Sequence, residues 1–243
     1  MVHGMLSSRN QWMRNLDTLR DFCRPVVVEL WGHARSPSPE ALEHYLPEGY
    51  VAQFEAIRED VGAEKWFICG QSFGAGLTLR YALEHPGRVL GQVFTNSRSA
   101  LADAETVATY RENATKRAQL LIDHGRSGLE KIPVHPVHAK RMDDDVKNAL
   151  LADAALHDPA GFAKTFQHTS PNLSIRERAS EIDVPTLLVV GEREEAFKPS
   201  RQFAEATINN LQIAAAPGGH AVNIQSADIF NQAVNSFILK HSE

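Results

Sequence analysis

Short apolar runs alternate along the chain with longer stretches in which apolar residues recur every three or four positions. Val26-Val27-Val28-Glu29-Leu30, Trp66 to Cys69, Val89 to Phe94, Thr186 to Val190 and Leu211 to Ala215 have the length and composition of strands covered on both faces. Tyr50 to Val61, Ala75 to Glu84, Phe203 to Ile208 and Ile229 to Leu239 read as helices, the second of them stopped by His85-Pro86-Gly87. Strands separated by helical patterns predict an α/β fold, a mostly parallel central sheet with helices on both faces. Between Ser97 and Ile182 the strand rhythm disappears. Ala104 to His124, Asp143 to Leu156 and Pro159 to His168 are predicted helices, with Asp143 or Asp144 near an N-terminus and Pro159 in a first turn. The chain therefore divides into a core, residues 1–96 and 183–243, and a helical insertion, residues 97–182.

With 243 residues, 43% of them hydrophobic, the chain is long enough for one α/β domain with a full core and a modest insertion. The net charge of -5, without a long basic run, argues against nucleic acid and for a small-molecule partner. No apolar run approaches the roughly 20 residues of a membrane span, and no secretory leader is visible. Two cysteines, Cys23 and Cys69, read as reduced thiols used as small apolar residues, which places the protein in a reducing, cytoplasmic compartment.

The chemistry concentrates at Gly70-Gln71-Ser72-Phe73-Gly74, where a predicted buried strand stops and a helix starts. Glycines two residues either side of a serine let strand and helix approach closely while the serine is held in a strained turn with its hydroxyl exposed. The helix N-terminus points free N–H groups at any oxyanion formed there. A serine hydroxyl is hardly ionised near neutral pH, so Ser72 needs a base. Of the eleven histidines, His220 follows Gly218-Gly219 at the end of the last predicted strand, which makes it the candidate base. His135 and His138 lack a carboxylate or cysteine to complete a metal set, Asp143-Asp144-Asp145 reads as a solvated helix start, and Gly70, Gly74 and Gly76 make no dinucleotide fingerprint. No cofactor and no metal are expected.

Together with the elbow, three further stretches carry a family resemblance. Val2-His3-Gly4-Met5-Leu6 resembles the His-Gly loop of the α/β-hydrolase superfamily, Pro185 to Glu194 its penultimate strand and acid loop, and Gly218-Gly219-His220 its histidine loop. Trp31 to Pro37 resembles its Gly-His-Gly-x-Ser turn, with Ala34 for the second glycine. The order Ser72, acid, His220 is the one the superfamily uses. The resemblance implies an α/β-hydrolase fold and backbone oxyanion donors at Met5 and Phe73. It also implies a lid at 97–182, over the strand ends. It further implies a strand hairpin and most of a central strand before the His-Gly loop, where this sequence has only Met1 and Val2, so the first strands are expected to be absent.

The orienting acid is less sharply marked. Counting three on from Gly191 reaches Glu194, and counting four back from Pro199 reaches Glu195; Glu194 is preferred, with Glu195 and Asp103 as alternatives. His3 is assigned a structural part in its loop. The activity these features imply is that of a cofactor-independent serine hydrolase cleaving a carboxylic ester-like bond of a small or medium substrate through an acyl-enzyme. Carbon–carbon bond hydrolysis on the same residues stays open. So does a menaquinone-pathway-type lyase, since Gly191 to Lys198 resembles that synthase's acid loop, although its carboxylate-binding arginine four residues after the serine is Gly76 here. A non-catalytic small-ligand receptor is the alternative of another class.

Overall fold

The computed structural model describes residues 1–242. Its core is a parallel sheet whose strands lie in the order β1 (Trp66–Gly70), β2 (Val89–Thr95), β3 (Thr186–Gly191) and β4 (Leu211–Ala216). Helices α1 (Pro47–Asp60), α2 (Phe73–Glu84), α3 (Ala104–His124), α4 (Asp144–Ala154), α5 (Pro159–Lys164), α6 (Lys198–Thr207) and α7 (Ala227–His241) surround it. One apolar cluster, with Phe54, Leu77, Tyr81, Leu188 and Phe197, fills one face of the sheet. A second, with Trp12, Val93, Val189, Phe230 and Phe237, fills the other. Burial on both faces explains why the strands read as continuous apolar runs.

The predicted strand Val26–Leu30 is the element that differs. It is an extended segment with one bridge, Val2 to Val28, and Val2 also bridges Gly70 of β1. A ladder extends only as far as its partner does, and the intervening segment offers the Met1 carbonyl to Val28 and the Val2 backbone to Cys69 and Gln71. Val2 thus occupies a strand position between Val28 and β1. The chain leaves that position for the outer side and returns on the inner side, so the order reverses there. The loops after Val2 and after β1 part at this switch point, the place in an open α/β sheet where a crevice forms.

Helix α2 starts tightly against this junction. A Cβ at Gly74 would collide with the backbone carbonyls of Val2 and His3, and one at Gly70 with Gly74 and Ala75. Gly74→Ala is expected to lower unfolding free energy by about 1–3 kcal/mol in a urea titration, since neither carbonyl can retreat without moving the loop. Gly87→Ala, whose Cβ meets nothing within 4 Å, is the control and should be near neutral.

Among the described residues, the segment between β2 and β3 contains helices and turns but no strand. Asp103 caps α3, its carboxylate accepting from the Thr106 N–H, and Pro159 stands in the first turn of α5, which Asp158 caps. The predicted helix to His168 stops being regular at Lys164 and continues as a wider π turn, Thr165–Thr169. An apolar cluster of Ala118, Leu121, Leu129, Ile132, Phe162 and Phe166 takes in Leu6 from the loop after Val2. Asp153 of α4 anchors the same loop, accepting hydrogen bonds from Ser8 (2.6 Å) and Asn10 (2.7 Å) and pairing with Arg35 (2.8 Å).

Candidate active site

Ser72 stands between β1 and α2 with φ 52° and ψ -113°, a left-handed conformation that a side chain adopts at a cost of about 1–3 kcal/mol. The surroundings hold it there. The Ser97 hydroxyl donates to the Ser72 carbonyl at 2.6 Å, and the Gly74 and Ala75 N–H groups bond back to Gln71 and Ser72. This geometry lifts the Ser72 hydroxyl out of the helix, where it donates to Nε2 of His220 at 2.8 Å.

His220 is presented by the loop after β4. The Gln71 side chain donates to the His220 carbonyl at 3.1 Å, so the elbow itself grips the histidine loop. A buried amide network lies behind it, with Gln11 and Asn15 bonded to Asn223, and Asn15 also to Asn231. The Nδ1–H of His220 donates to both carboxylate oxygens of Glu194, each at 3.0 Å. Burial pushes the Glu194 carboxyl upward, but the hydrogen bond and charge of His220, the Asn96 donor and the Arg98 charge outweigh it and hold it below its ordinary value. It stays ionised and fixes the imidazole tautomer that leaves Nε2 free to accept.

The alternatives go elsewhere. Glu195, exposed, pairs with Lys198 at 2.6 Å, and Asp103 is spent on capping α3. His3 is fully buried, with Nδ1 on the Gly4 carbonyl at 2.8 Å and Nε2 accepting from the Leu30 N–H at 3.1 Å. Burial holds it at about 4, neutral and structural. The His135 ring accepts from the Val137 N–H, the His138 ring meets the Glu130 carbonyl, and Asp143 and Asp145 bind Arg14. No group of three or more metal-ligating side chains occurs among the described residues.

The backbone N–H groups of Met5 and Phe73 have no acceptor among the described residues, although Phe73 is buried. They flank Ser72 from the two loops of the switch point. Two cavities meet at Ser72. One, of about 490 Å³, runs along Met5, Gln71, Pro136 and His220 and is edged by Lys140 and Arg141. The other, of about 560 Å³, passes Phe73 and Phe166 and is edged by Arg98 and Arg117. Both have walls from the core and from the insertion.

Sequence reasoning missed Asn96. It is fully buried at the tip of β2, and its side chain donates to Glu194 at 2.8 Å. Its only signal was its place directly after a buried strand, a position where a polar residue needs a partner.

The protein is 25% identical to a Bacillus subtilis (strain 168) protein provisionally named as a 2-succinyl-6-hydroxy-2,4-cyclohexadiene-1-carboxylate synthase, over 98% of this chain and 88% of that one. It is 22% identical to carboxylesterase YbfK of the same organism, over 98% and 79%. The structure of MenH from S. aureus superposes with a TM-score of 0.86 at 18% identity, covering 100% of this chain and 93% of that one. A family model for the alpha/beta hydrolase fold matches residues 1–227, and with the switch-point elbow and strand order described above the chain belongs to that family.

Proposed function

We propose that the protein is a cofactor-independent serine hydrolase that cleaves a carboxylic ester-like bond of a small or medium substrate through an acyl-enzyme. The observation that carries this is the continuous hydrogen-bond chain from Ser72 through His220 to Glu194. As the Ser72 oxygen bonds to the substrate carbonyl carbon, its proton passes to Nε2 of His220, and Glu194 stabilises the imidazolium that results. The carbonyl oxygen becomes an oxyanion, for which the N–H groups of Met5 and Phe73 are the donors in waiting. Collapse breaks the bond to the leaving group, which takes the proton from His220. Water then repeats the sequence against the acyl-enzyme, with His220 again as base, and releases the acid.

The insertion is assigned as a lid, because its residues supply the outer walls of both cavities at Ser72. The reduced thiols of Cys23 and Cys69 support a cytoplasmic setting. Labelling by a fluorophosphonate, together with turnover of a panel of short p-nitrophenyl esters, tests the reading. Failure of both in folded protein would leave the lyase and receptor alternatives in its place.

A lyase of the kind named for the Bacillus subtilis relative is the second reading. The cavities at Ser72 are edged by Arg98, Arg117, Lys140 and Arg141 against the single acid Glu105, in a protein of net charge -5. That local reversal of charge suits a substrate bearing carboxylates. Against it stands Gly76: a Cβ there would run into Leu173, which leaves no room for an arginine side chain.

The acid assignment has its own test. Glu194→Gln is expected to lower turnover by about 10²–10⁴-fold with little change in KM, because the amide no longer stabilises the imidazolium. Glu195→Gln should stay within about twofold, as an exposed pair with Lys198 contributes little. Steady-state kinetics of the two variants decides, and the reverse pattern would move the acid one residue along.

A further inference from the structure

We propose that Asn96 is the positioning residue that makes a glutamate usable as the orienting acid, an inference that rests on the serine-hydrolase reading. Backbone pairing between β2 and β3 runs to Thr95 and Val189. Beyond it, the Asn96 side chain takes over the part of a strand backbone. Its Oδ1 accepts from the Gly191 N–H at 3.0 Å, and its Nδ2 donates to the Gly191 carbonyl at 2.9 Å. The second N–H of the same amide donates to Oε2 of Glu194 at 2.8 Å. Both donors and the acceptor are used, and the side chain is 0% exposed. The amide has one orientation only, since a flip would set its oxygen against a carbonyl and a carboxylate.

The need for such a residue follows from the acid. Glutamate has one more rotatable bond than aspartate, so its carboxylate sweeps a wider arc and loses more freedom when held. His220 grips both oxygens from one side, and Asn96 grips Oε2 from the other. The same amide fixes Gly191, where the acid loop leaves β3. Gly191 has to be glycine because a Cβ there would strike the Gly219 carbonyl, and the Arg193 N–H bonds to Gly218 at 2.9 Å. Asn96 therefore ties together the strand end, the acid and, through Gly191, the loop that carries His220. It touches no substrate-facing atom and acts through Glu194.

Asn96→Asp keeps the shape but loses both donors and faces Glu194 with a like charge; Asn96→Ala removes the side chain. The charged groups otherwise facing Glu194 are His220 and Arg98. In folded variants we expect fluorophosphonate labelling to slow by about 10-fold. In Asn96→Asp the added carboxylate disfavours ionisation of Glu194 beside it, so the acid limb of the labelling-against-pH profile, set by loss of the Glu194 charge, moves to higher pH. The downfield proton resonance of His220 Nδ1–H, read by NMR whether or not the protein turns anything over, should weaken in both variants. In a Glu194→Gln background the further loss from Asn96→Ala should shrink to a small fraction of its size in the parent, because the part that passes through the acid is already gone. A folded Asn96→Asp or Asn96→Ala protein with the parent's labelling rate, pH profile and resonance would overturn the assignment. Full additivity with Glu194→Gln, or a parent without the resonance, would do so too. A parent with the resonance but no labelling would instead sink the serine-hydrolase reading, while the resonances of the variants still decide Asn96.

Discussion

Ser72→Ala is expected to reduce ester turnover and fluorophosphonate labelling by at least about 10³-fold while the protein stays folded. The size of the loss follows from the site. His220 and the donors at Met5 and Phe73 remain, but the only oxygen in line with Nε2 is gone. The fold should survive because a methyl group occupies less space than the hydroxymethyl it replaces. The chain also tolerates alanine in left-handed geometry elsewhere, at Ala34 with φ 46°. Mass spectrometry of labelled protein beside circular dichroism makes the comparison. A folded Ser72→Ala protein that keeps most of its activity would remove the elbow from the mechanism.

Stability should fall by several kcal/mol as pH drops from about 6.5 to about 4, because His3, His33 and His157 are buried together in neutral form. Their rings pack in sequence, His3 tilted against His33 at 4.9 Å and His33 edge-on to His157 at 5.5 Å, beneath the loop that carries Met5. Burial lowers His3 and His157 to about 4 and His33 well below its ordinary value. His33 keeps its Nδ1 on the Trp31 carbonyl and its Nε2 is buried without a partner, so a second proton there would bring a charge with nothing to receive it; on His157 the second proton would have to displace the Ala34 N–H from Nδ1. Asp153, the nearest carboxylate, is already held by Ser8, Asn10 and Arg35, and His135 adds a small repulsion.

The sign follows from linkage. Below about 6.5 the unfolded chain binds protons at these positions and the folded chain does not, so stability rises with pH across that window and levels off above it. A displacement from 6.5 to about 4 corresponds to about 3 kcal/mol for each of His3 and His157, so the two together rival the total stability of a typical domain. Urea unfolding at pH 7.5, 6 and 5 measures it. His157→Asn, which keeps an acceptor for the Ala34 N–H, should flatten the dependence. Midpoints independent of pH would refute the account.

Much of this protein was legible along the chain. Strand β1 and helix α2 were placed to within one or two residues, because burial on two faces, glycine spacing and a Pro-Gly stop are local signals. Ser72 and His220 were legible for the same reason, each marked by glycines that its own turn requires. Family resemblance added Met5 and Phe73, neither of which carries a signal in its side chain.

Only the tertiary structure decided the rest. Glu194 and Glu195 are adjacent and alike in chemistry, and counting preferred Glu194 without excluding its neighbour. What separates them is the turn at Gly191 packed against Gly219, which sends one carboxylate to His220 and the other to Lys198. Val26–Leu30 has the composition of a strand but one bridge, since pairing depends on a partner's length and not on the segment's own residues. Asn96 and His157 carry no signal in sequence, and His3 and His33 are marked there only by the loop and the turn they stand in. Burial turns them into constraints, because a polar group taken out of water has to find a specific partner, and that partner lies up to 123 residues away, as with His157 and the N–H of Ala34, where no local pattern can record it.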